Sequence, residues 1–319
     1  MLQRQLGRTG LHVSHLGLGT MTWGRDTDED EAAEQLRDFV AAGGTLLDTA
    51  ASYSEGAAEE LIGSLLGTEA EREDLVLVTK GGVRRTRSGA VVDASRASLL
   101  DSLDASLGRL GTDHVEVFLV QAPDPRTPLD ETVSALRTAV TSGRARYVGL
   151  SNHPGWQTAR AATLLADVGL AAVEVEYSLL ERGIEREVLP ACADLGIGAL
   201  AWSPLGRGVL TGKYRRTIPA DSRAASAHLA GFVQPYLGAD SLAVVDAVVI
   251  AAEGLGRAPL EVALAWVRDQ PGVSSAIVGA RTPAHLRGAL GAQDLELPQE
   301  ILAALDEVSA PAIGYPERR

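Results

Sequence analysis

The sequence predicts an α/β protein built as a single (β/α)8 barrel, the TIM-barrel fold, from three observations. Its 319 residues suffice for one barrel-sized domain with a large hydrophobic core. Apolar, β-rich runs alternate along the chain with stretches of helical hydrophobic spacing, which is typical of parallel strands covered by helices. No linker, internal repeat or low-complexity tract interrupts this alternation, so we expect one domain over residues 1–319.

Eight runs of aliphatic and β-branched residues are the candidate strands of the barrel. They lie at residues 13–19, 45–48, 75–79, 115–120, 147–150, 172–175, 198–202 and 274–278. The active site of such a barrel lies at the carboxyl ends of its strands. We therefore expect the functional side chains at the ends of these runs.

The stretches between the runs carry the hydrophobic spacing of amphipathic helices. The clearest repeat is formed by Leu99, Leu103, Leu107 and Leu110. Gly111 is a plausible stop for that helix, and Asp93 or Ser95 is a plausible start. Residues 214–239 lack such a pattern and are rich in Arg, Ser, Ala and Pro, which predicts a loop over the barrel mouth. The alternative is a surface insertion without a role in the site.

The amino-acid composition limits the kinds of molecule that this protein is expected to bind. A net charge of −13 disfavours nucleic acid, because nucleic-acid binding needs a basic footprint. The single cysteine, Cys192, fits a reducing compartment and is expected to be a small buried residue. No run of about 18 apolar residues predicts a membrane span, and the first residues lack the apolar core of a signal peptide. We expect a cytoplasmic protein that binds a small molecule and neither nucleic acid nor membrane.

Three polar residues follow the second and third candidate strands closely. Asp48 ends the second run, Tyr53 lies in the loop beyond it, and Lys80 ends the third. Neighbouring barrel strands would direct the three side chains into one pocket. There, a lysine ammonium favours the phenolate and is expected to lower the tyrosine pKa by about 1–3 units. Tyr53 would then be a usable general acid near neutral pH, with Lys80 held charged by Asp48.

At this point the sequence resembles the aldo-keto reductase family over nearly its whole length. The matching stretches are GLGTMTWG (17–24), GGTLLDTA (43–50) with Tyr53 and Glu59, VTK (78–80), RYVGLSN (146–152), EYSLL (176–180), WSPLGRGVLTGK (202–213) and IVGARTP (277–283). The resemblance implies NADPH-dependent hydride transfer to a carbonyl carbon. Tyr53 would protonate the oxygen, tuned by Asp48 and Lys80, and Trp23, Tyr53 and residue 121 would contact the substrate.

The resemblance also implies a set of cofactor contacts. Ser151, Asn152 and Glu174 would hold the nicotinamide carboxamide, and Trp202 would stack on the ring. Lys213 and the glycines of its loop would hold the pyrophosphate, and Arg281 would bind the 2′-phosphate. The full set of expected cofactor residues is Gly19, Thr20, Met21, Asp48, Ser151, Asn152, Glu174, Trp202, Ser203, Pro204, Leu205, Gly206, Gly208, Lys213, Gly279, Arg281 and His285. No metal site is expected.

Several positions depart from the family pattern. The fourth run ends in Gln121, where the family usually has a histidine that hydrogen-bonds the substrate carbonyl. Glutamine can donate an N–H to that oxygen and orient it, but it cannot transfer a proton. Glu174 replaces a glutamine, and a carboxylate accepts hydrogen bonds without donating them. His153 could supply a substitute imidazole, although a surface histidine is the simpler interpretation. His285, Gly288 and Ala289 replace the adenine contacts, so NADH is not excluded.

Two alternatives to reduction of simple aldehydes or ketones stay open. A specialised reductase of keto-deoxysugar nucleotides or activated double bonds would need basic residues at the mouth, and the candidates are Arg84, Arg85, Arg87, Arg215 and Arg216. An NADP-binding, redox-sensing regulatory subunit would resemble the potassium-channel β-subunits of the family, which also lack the histidine. Aromatic residues Phe232 and Tyr236 would help to shape a substrate pocket or anchor the loop. We expect a monomer or a weak oligomer.

Overall fold

The computed structural model of the chain describes residues 1–86, 89–220, 222–226, 229–312 and 314. Its strands, in chain order, are β1 (Gln3–Gln5), β2 (His12–Ser14), β3 (Leu16–Gly19), β4 (Leu46–Asp48), β5 (Val76–Gly81), β6 (Val83–Thr86), β7 (Gly89–Val92), β8 (Val115–Val120), β9 (Ala145–Ser151), β10 (Ala172–Glu176), β11 (Gly198–Trp202) and β12 (Val273–Gly279). Its helices are α1 (Glu29–Ala41), α2 (Ala57–Leu65), α3 (Arg96–Leu110), α4 (Leu129–Thr141), α5 (Gly155–Leu164), α6 (Val188–Leu195), α7 (Ala230–Val233), α8 (Ala239–Leu255), α9 (Pro259–Arg268), α10 (Pro283–Leu290) and α11 (Gln299–Val308).

Eight of these strands form the closed parallel barrel that the sequence predicts. Their order around the barrel is β3-β4-β5-β8-β9-β10-β11-β12, and β12 pairs with β3 to complete it. Each of the eight predicted runs overlaps one of these strands. The register places Gly19 beside Asp48 and Glu174 beside Ser151, so that strand ends from different parts of the chain meet at one rim. The (β/α)8 prediction is confirmed.

The helices around the barrel begin and end where local chemistry favours it. At the start of α3, the Ser95 hydroxyl accepts a hydrogen bond from the backbone N–H of Ser98. At its end, Gly111 adopts φ = 64°, a left-handed conformation that costs glycine little. The four leucines of the predicted repeat are all buried on the face toward the barrel. The pattern of apolar residues therefore predicted both the helix and its orientation.

The first predicted run is wrong in one respect, because it contains two strands. Strand β2 pairs antiparallel with β1, and the chain turns at His15 before β3 enters the barrel. The Ser14 hydroxyl donates to the carbonyl of Leu16 and fixes this turn. In this N-terminal hairpin, Leu6 and Val13 are fully buried against the residues that fill the barrel interior. The hairpin therefore closes the N-terminal end of the barrel.

Two further segments extend from the barrel at the opposite end. Strands β6 and β7 form an antiparallel hairpin that the sequence analysis did not predict, and none of its described side chains is fully buried. The stretch at 214–239, predicted as a loop, contains the short helix α7, and α8 starts at its last residue, Ala239. The side chain of Arg85 and the whole of Arg87 lie outside the described residues.

Cys192 lies on α6 and is buried, as predicted, and burial raises the pKa of its thiol to about 12. No single helix in the described part of the chain is long and apolar enough to cross a membrane. Two consecutive helical segments, Ala230–Tyr236 and Ala239–Leu255, are together long and apolar enough for a membrane span, but they are bent by 80° relative to each other. Helix α8 packs its apolar face into the protein core through Val244, Val245 and Val248.

Candidate active site

A cavity of about 500 Å³ opens at the carboxyl ends of the barrel strands. Its floor is formed by strand-end residues, and its walls come from the β6–β7 hairpin, the segment around α7 and the start of α10. Most of the sequence-predicted residues line it, namely Gly19, Met21, Asp48, Tyr53, Lys80, Gln121, Ser151, Asn152, Glu174, Trp202, Ser203, Pro204, Leu205, Gly208, Lys213, Gly279, Arg281 and His285. The fold thus brings together residues from all eight barrel strands or the loops that follow them.

Lys80 is the centre of a buried charge cluster on the floor. Its Nζ lies 2.5 Å from Asp48 Oδ1 and 3.2 Å from Glu174 Oε1, and it donates to the carbonyl oxygen of Thr49 at 2.9 Å. The same Nζ lies 5.2 Å from the centroid of the Tyr53 ring. Lys80, Asp48 and Glu174 are each at most 2% exposed. The Lys80 ammonium, the two carboxyl groups and the Tyr53 phenol therefore lie together in a region with little access to water.

The environment sets the protonation states of this cluster. Burial alone would lower the pKa of Lys80, but Asp48 and Glu174 raise it above its usual value, so the ammonium stays charged. Burial raises the pKa of Asp48, and Lys80 opposes that rise. Burial and the neighbouring Asp48 carboxylate raise the pKa of Glu174 well above its usual value. Of the two carboxyl groups, Glu174 is thus the one whose neutral form the surroundings favour more strongly.

The predicted lowering of the Tyr53 pKa is wrong. Burial raises the pKa of Tyr53 above its usual value, and the opposing effect of the Lys80 charge is smaller. The sequence revealed the lysine but not the depth of the pocket, which determines the size of the desolvation penalty. Tyr53 is consequently a fully protonated phenol at neutral pH.

Gln121, at the position of the missing histidine, is held by the residue before Tyr53. The Ser52 Oγ lies 2.8 Å from Gln121 Nε2 and 3.0 Å from Gln121 Oε1. The Gln121 backbone is fixed as well, because its N–H donates to the carbonyl of Gly81 and its carbonyl accepts from Asn152 Nδ2. Its amide therefore has a defined place at the edge of the cavity.

An aromatic wall stands opposite the charge cluster. Trp202 ends β11 and donates from Nε1 to Asn152 Oδ1 at 3.0 Å. Phe232 lies nearly parallel to it, with 6.5 Å between ring centroids and 14° between planes. Arg207 anchors this wall, since it forms an ion pair with Glu176 at 2.5 Å, donates to the Phe232 carbonyl at 2.6 Å and stacks on the Phe232 ring at 4.0 Å. Phe232 therefore lines the cavity.

A cluster of three cations occupies the other end of the cavity. It consists of Lys213, Arg223 and Arg281. Burial lowers the pKa of both Lys213 and Arg223, and the charge of Arg281 lowers each further. Among the described residues, no ion pair joins Lys213 or Arg223 to a carboxylate. Such a concentration of positive charge favours an anionic ligand group.

Glycines leave room for a ligand beside these cations. A Cβ on Gly279 would lie 3.7 Å from the Arg223 guanidinium, and one on Gly208 would lie 3.6 Å from Lys213 Nζ. Gly208 also needs its φ of 94°, which side-chain-bearing residues rarely adopt. The backbone can therefore approach a bound molecule at both positions.

Left-handed backbone at non-glycine residues is concentrated around the cavity. Ser54, Asn152, Ser203 and Arg207 have φ between 49° and 62°, and all four line the cavity. Such conformations cost about 1–3 kcal/mol each and persist where the surrounding contacts enforce them. Here the hydrogen bonds of Asn152 and Arg207 provide such contacts. No group of three or more metal-ligating side chains is present in the described part of the chain.

Three predicted ligand residues do not line the cavity. Trp23 is fully buried and donates from Nε1 to Gln35 Oε1, so it does not contact a substrate there. Its role is indirect, because its carbonyl accepts from the Ser54 hydroxyl next to Tyr53. Thr20 is buried below the rim and donates to the carbonyl of Asp48. Gly206 is also buried, and a Cβ there would press against Leu180.

Other expected residues lie away from the site. His153 is 5% exposed, not a surface residue, and faces a different cleft that also includes Glu181 and Glu187. Tyr236 is buried and stacks beneath Arg207 without lining the cavity, which corresponds to the anchoring alternative. Arg215 pairs with Asp246 on the surface, and neither Arg84 nor Arg216 lines the cavity. The basic mouth required by a large phosphorylated substrate is therefore not formed by these residues.

Sequence reasoning missed four cavity residues that matter. Ser52, Arg207, Arg223 and Leu229 all line it. Arg207 lay inside the matched glycine-rich stretch, so its uncommon position between two glycines was an available signal. Arg223 and Leu229 belong to the 214–239 segment, whose contacts depend on how it folds back over the rim.

Comparison with known proteins agrees with this geometry. The model of the Aldo/keto reductase family matches residues 15–310. A protein of Bacillus subtilis (strain 168) named "Uncharacterized oxidoreductase YrpG" is 36% identical, covering 95% of this chain and 94% of the relative. A protein of Oryza sativa subsp. japonica named "Probable voltage-gated potassium channel subunit beta" is 35% identical, covering 100% and 98%. "Aldo-keto reductase YhdN" of Bacillus subtilis (strain 168) is 32% identical, covering 87% and 84%. The chain is an oxidoreductase that belongs to the aldo/keto reductase family.

Proposed function

We propose that this protein reduces aldehyde or ketone carbonyls to alcohols with NADPH, using Tyr53 as the general acid. The observation that carries the proposal is the buried cluster of Lys80, Asp48 and Glu174 beneath the Tyr53 ring. A fixed ammonium beside a protonated phenol favours the phenolate that forms once a proton leaves. The aromatic wall of Trp202 and Phe232 gives the cavity an apolar side that suits an organic carbonyl compound.

The residues present fit NADPH. At one end, Glu174 Oε2 is buried and has no hydrogen-bond partner among the described residues, so a ligand amide would satisfy it. At the other end, Lys213, Arg223 and Arg281 suit phosphate groups, and their combined charge favours NADPH over NADH. Between the two ends, the Trp202 ring offers a surface for stacking. When bound, NADPH would supply the hydride that reduces the carbonyl carbon.

Glu174 replaces the expected glutamine with little chemical loss in this environment. Its pKa is raised, which favours the neutral acid, and Oε1 accepts from Lys80 at 3.2 Å. The Asp48 carboxylate favours that neutral acid further, by its charge and by a hydrogen bond with the Glu174 carboxyl group. A carboxylic acid donates through one oxygen and accepts through the other, as a glutamine amide does with its two ends. The expected inability of Glu174 to donate therefore holds only for its ionised form.

The chain's own groups account for the proton step. Tyr53, partly exposed to the cavity, keeps its proton at neutral pH and can donate it to the carbonyl oxygen as negative charge develops there. The Lys80 ammonium then stabilises the resulting phenolate, and Asp48 keeps that ammonium in place. Gln121 can offer an amide N–H to the same oxygen but no proton. In this proposal Tyr53 donates the proton, Lys80 stabilises the phenolate by its charge, and Gln121 orients the carbonyl oxygen.

Tyr53→Phe tests the proposal directly. We expect NADPH oxidation with an activated aromatic aldehyde such as 4-nitrobenzaldehyde to fall by at least about 10²-fold in this variant, since the general acid is removed. NADPH binding, followed by fluorescence, should change by less than about twofold, because the ring is retained. The matched control is Tyr147→Phe, which removes a phenol hydroxyl near the N-terminal end of the barrel. A Tyr53→Phe enzyme with normal turnover would exclude Tyr53 as the acid.

A redox-sensing regulatory subunit is the second candidate, favoured by the channel-subunit relative that matches the whole chain. The same assay separates the two. Wild-type protein that binds NADPH tightly but oxidises it no faster with aldehydes than without them would support the sensor and contradict the reductase.

A further inference from the structure

We propose that Ser52 is a positioning residue that holds the Gln121 amide so that one of its N–H bonds is directed at the substrate oxygen. The inference rests on the proposed function, because it assigns a role within the same site. The contact that carries it is the pair of short distances from Ser52 Oγ to both terminal atoms of Gln121, 2.8 Å to Nε2 and 3.0 Å to Oε1.

Glutamine needs such a partner more than histidine does. An imidazole is a rigid ring with two rotatable bonds, whereas a glutamine side chain has three and an amide that can flip. A hydroxyl can both donate and accept, so Ser52 can either accept from Nε2 or donate to Oε1, one of the two at a time. The hydroxyl therefore engages the amide whichever way it is turned.

The hydrogen-bond inventory leaves one amide N–H for a ligand. Nε2 carries two N–H groups, and Ser52 is its one partner among the described residues. Gln121 is partly exposed and lines the cavity, while its backbone is fixed by Gly81 and Asn152. Ser52 is 8% exposed and lines the same cavity. The second N–H is thus available to an oxygen bound there.

The bond also links the orienting group to the acid. Ser52 directly precedes Tyr53, whose backbone N–H donates to the carbonyl of Ala50. The hydrogen bond between Ser52 and Gln121 therefore joins the loop after β4 to the end of β8. The separation between the phenol and the amide depends on this single side-chain contact and on the backbone around it.

A double-mutant cycle tests the proposal. Ser52→Ala should lower kcat/KM for the aldehyde by about 10-fold while leaving the NADPH Kd within about twofold. Ser52→Thr retains the hydroxyl and should restore most of the loss. Gln121→Ala should lose at least as much as Ser52→Ala, and the double variant should be no slower than Gln121→Ala alone. Ser64→Ala, at an exposed position on α2, is the matched control for loss of a serine hydroxyl.

Three results would overturn the proposal: wild-type kcat/KM in Ser52→Ala, no recovery in Ser52→Thr, or a full additional loss in the double variant. A readout independent of turnover distinguishes failure of this inference from failure of the proposed function. The side-chain amide signals of Gln121 in ¹⁵N NMR, assigned by their absence in Gln121→Ala, should shift and exchange faster with water in Ser52→Ala. Unchanged signals would refute the contact even if wild-type protein reduced no carbonyl compound at all.

Discussion

At the scale of single residues, the sequence revealed the chemistry better than the geometry. Asp48 and Lys80 were predictable because a polar residue that ends a parallel strand must lie at the rim of the barrel. Trp23 was placed wrongly on the cavity, because a matching motif position does not tell which way a side chain points. The direction of the Tyr53 pKa shift was wrong for a related reason. Desolvation depends on the whole surroundings of a group, and these are not visible in its neighbours along the chain.

His15 carries a testable pH dependence of stability. It is buried at the turn between β2 and β3, and neither ring nitrogen has a hydrogen-bond partner in the described structure. Burial, together with the charges of Arg268 and Arg4, lowers its pKa from 6.5 to about 4, and Asp269 opposes this only in part. The unfolded chain binds the proton more tightly, so the stability contribution is complete above pH 6.5 and is lost as the pH falls toward 4.

We expect this residue to reduce the free energy of unfolding by about 2 kcal/mol between pH 7 and pH 5. Urea unfolding of the wild type and of His15→Phe at both pH values measures the effect. The phenylalanine variant should lose that part of the pH dependence, since its ring does not titrate. The same pH dependence in both proteins would show that His15 does not bind its proton more weakly on folding.

At the scale of elements, all eight barrel strands were predictable and the two hairpins were not. Barrel strands are apolar because they are buried on both faces, which gives continuous runs that stand out in the sequence. The β6–β7 hairpin, in contrast, lies outside the core: its valines are only partly buried, and its strands are two short runs interrupted by polar residues and glycine. The fold of the segment around α7 was equally hard to predict. Arg207 anchors this segment through the Phe232 carbonyl, and Arg207 lies outside the segment in the sequence.

Arg207 should therefore control how long a cofactor stays bound. Arg207→Met removes the bonds to Glu176 and to the Phe232 carbonyl while keeping much of the side-chain length. We expect the NADPH Kd to rise by about 10-fold or more, mainly through faster release, because charge-assisted hydrogen bonds of this kind contribute about 1.5–3 kcal/mol. Stopped-flow fluorescence gives the release rate.

The control for this experiment is Arg215→Met, which breaks the exposed pair with Asp246. It should leave NADPH release unchanged, since exposed ion pairs contribute little. Equal release rates in wild type and Arg207→Met would show that this wall does not retain the cofactor.

At the scale of the whole molecule, charge is distributed unevenly. The chain carries a net charge of −13, yet Lys213, Arg223 and Arg281 meet at one end of the cavity. The overall sign disfavours large polyanions, while the local field suits a small one. Net charge was readable from composition, but the cluster required the fold, because Arg223 lies in the 214–239 segment and Arg281 after the last barrel strand.

Salt should accordingly weaken NADPH binding more than NADH binding. Raising NaCl from about 0.05 M to about 0.5 M should increase the NADPH Kd by about 10-fold, because counter-ions screen the partly exposed cations. The NADH Kd should rise less, since NADH lacks the 2′-phosphate. Fluorescence titrations of wild type and Arg223→Gln measure both, and the variant should show a smaller difference between the cofactors. Identical salt dependences for NADPH and NADH in wild type would contradict a role for the cluster in recognising that phosphate.

The hairpin that closes the N-terminal end of the barrel has a consequence for the supply of protons. Leu6 and Val13 pack on the aliphatic interior below Lys80, so this end of the barrel is closed by apolar side chains. The cavity at the opposite end is then the path by which Tyr53 exchanges with bulk water. In the proposed mechanism, a substrate that fills the cavity would block the route along which the Tyr53 proton is replaced. Reprotonation of Tyr53 and product departure would then share one opening, so that the proposed acid is restored only as the cavity empties.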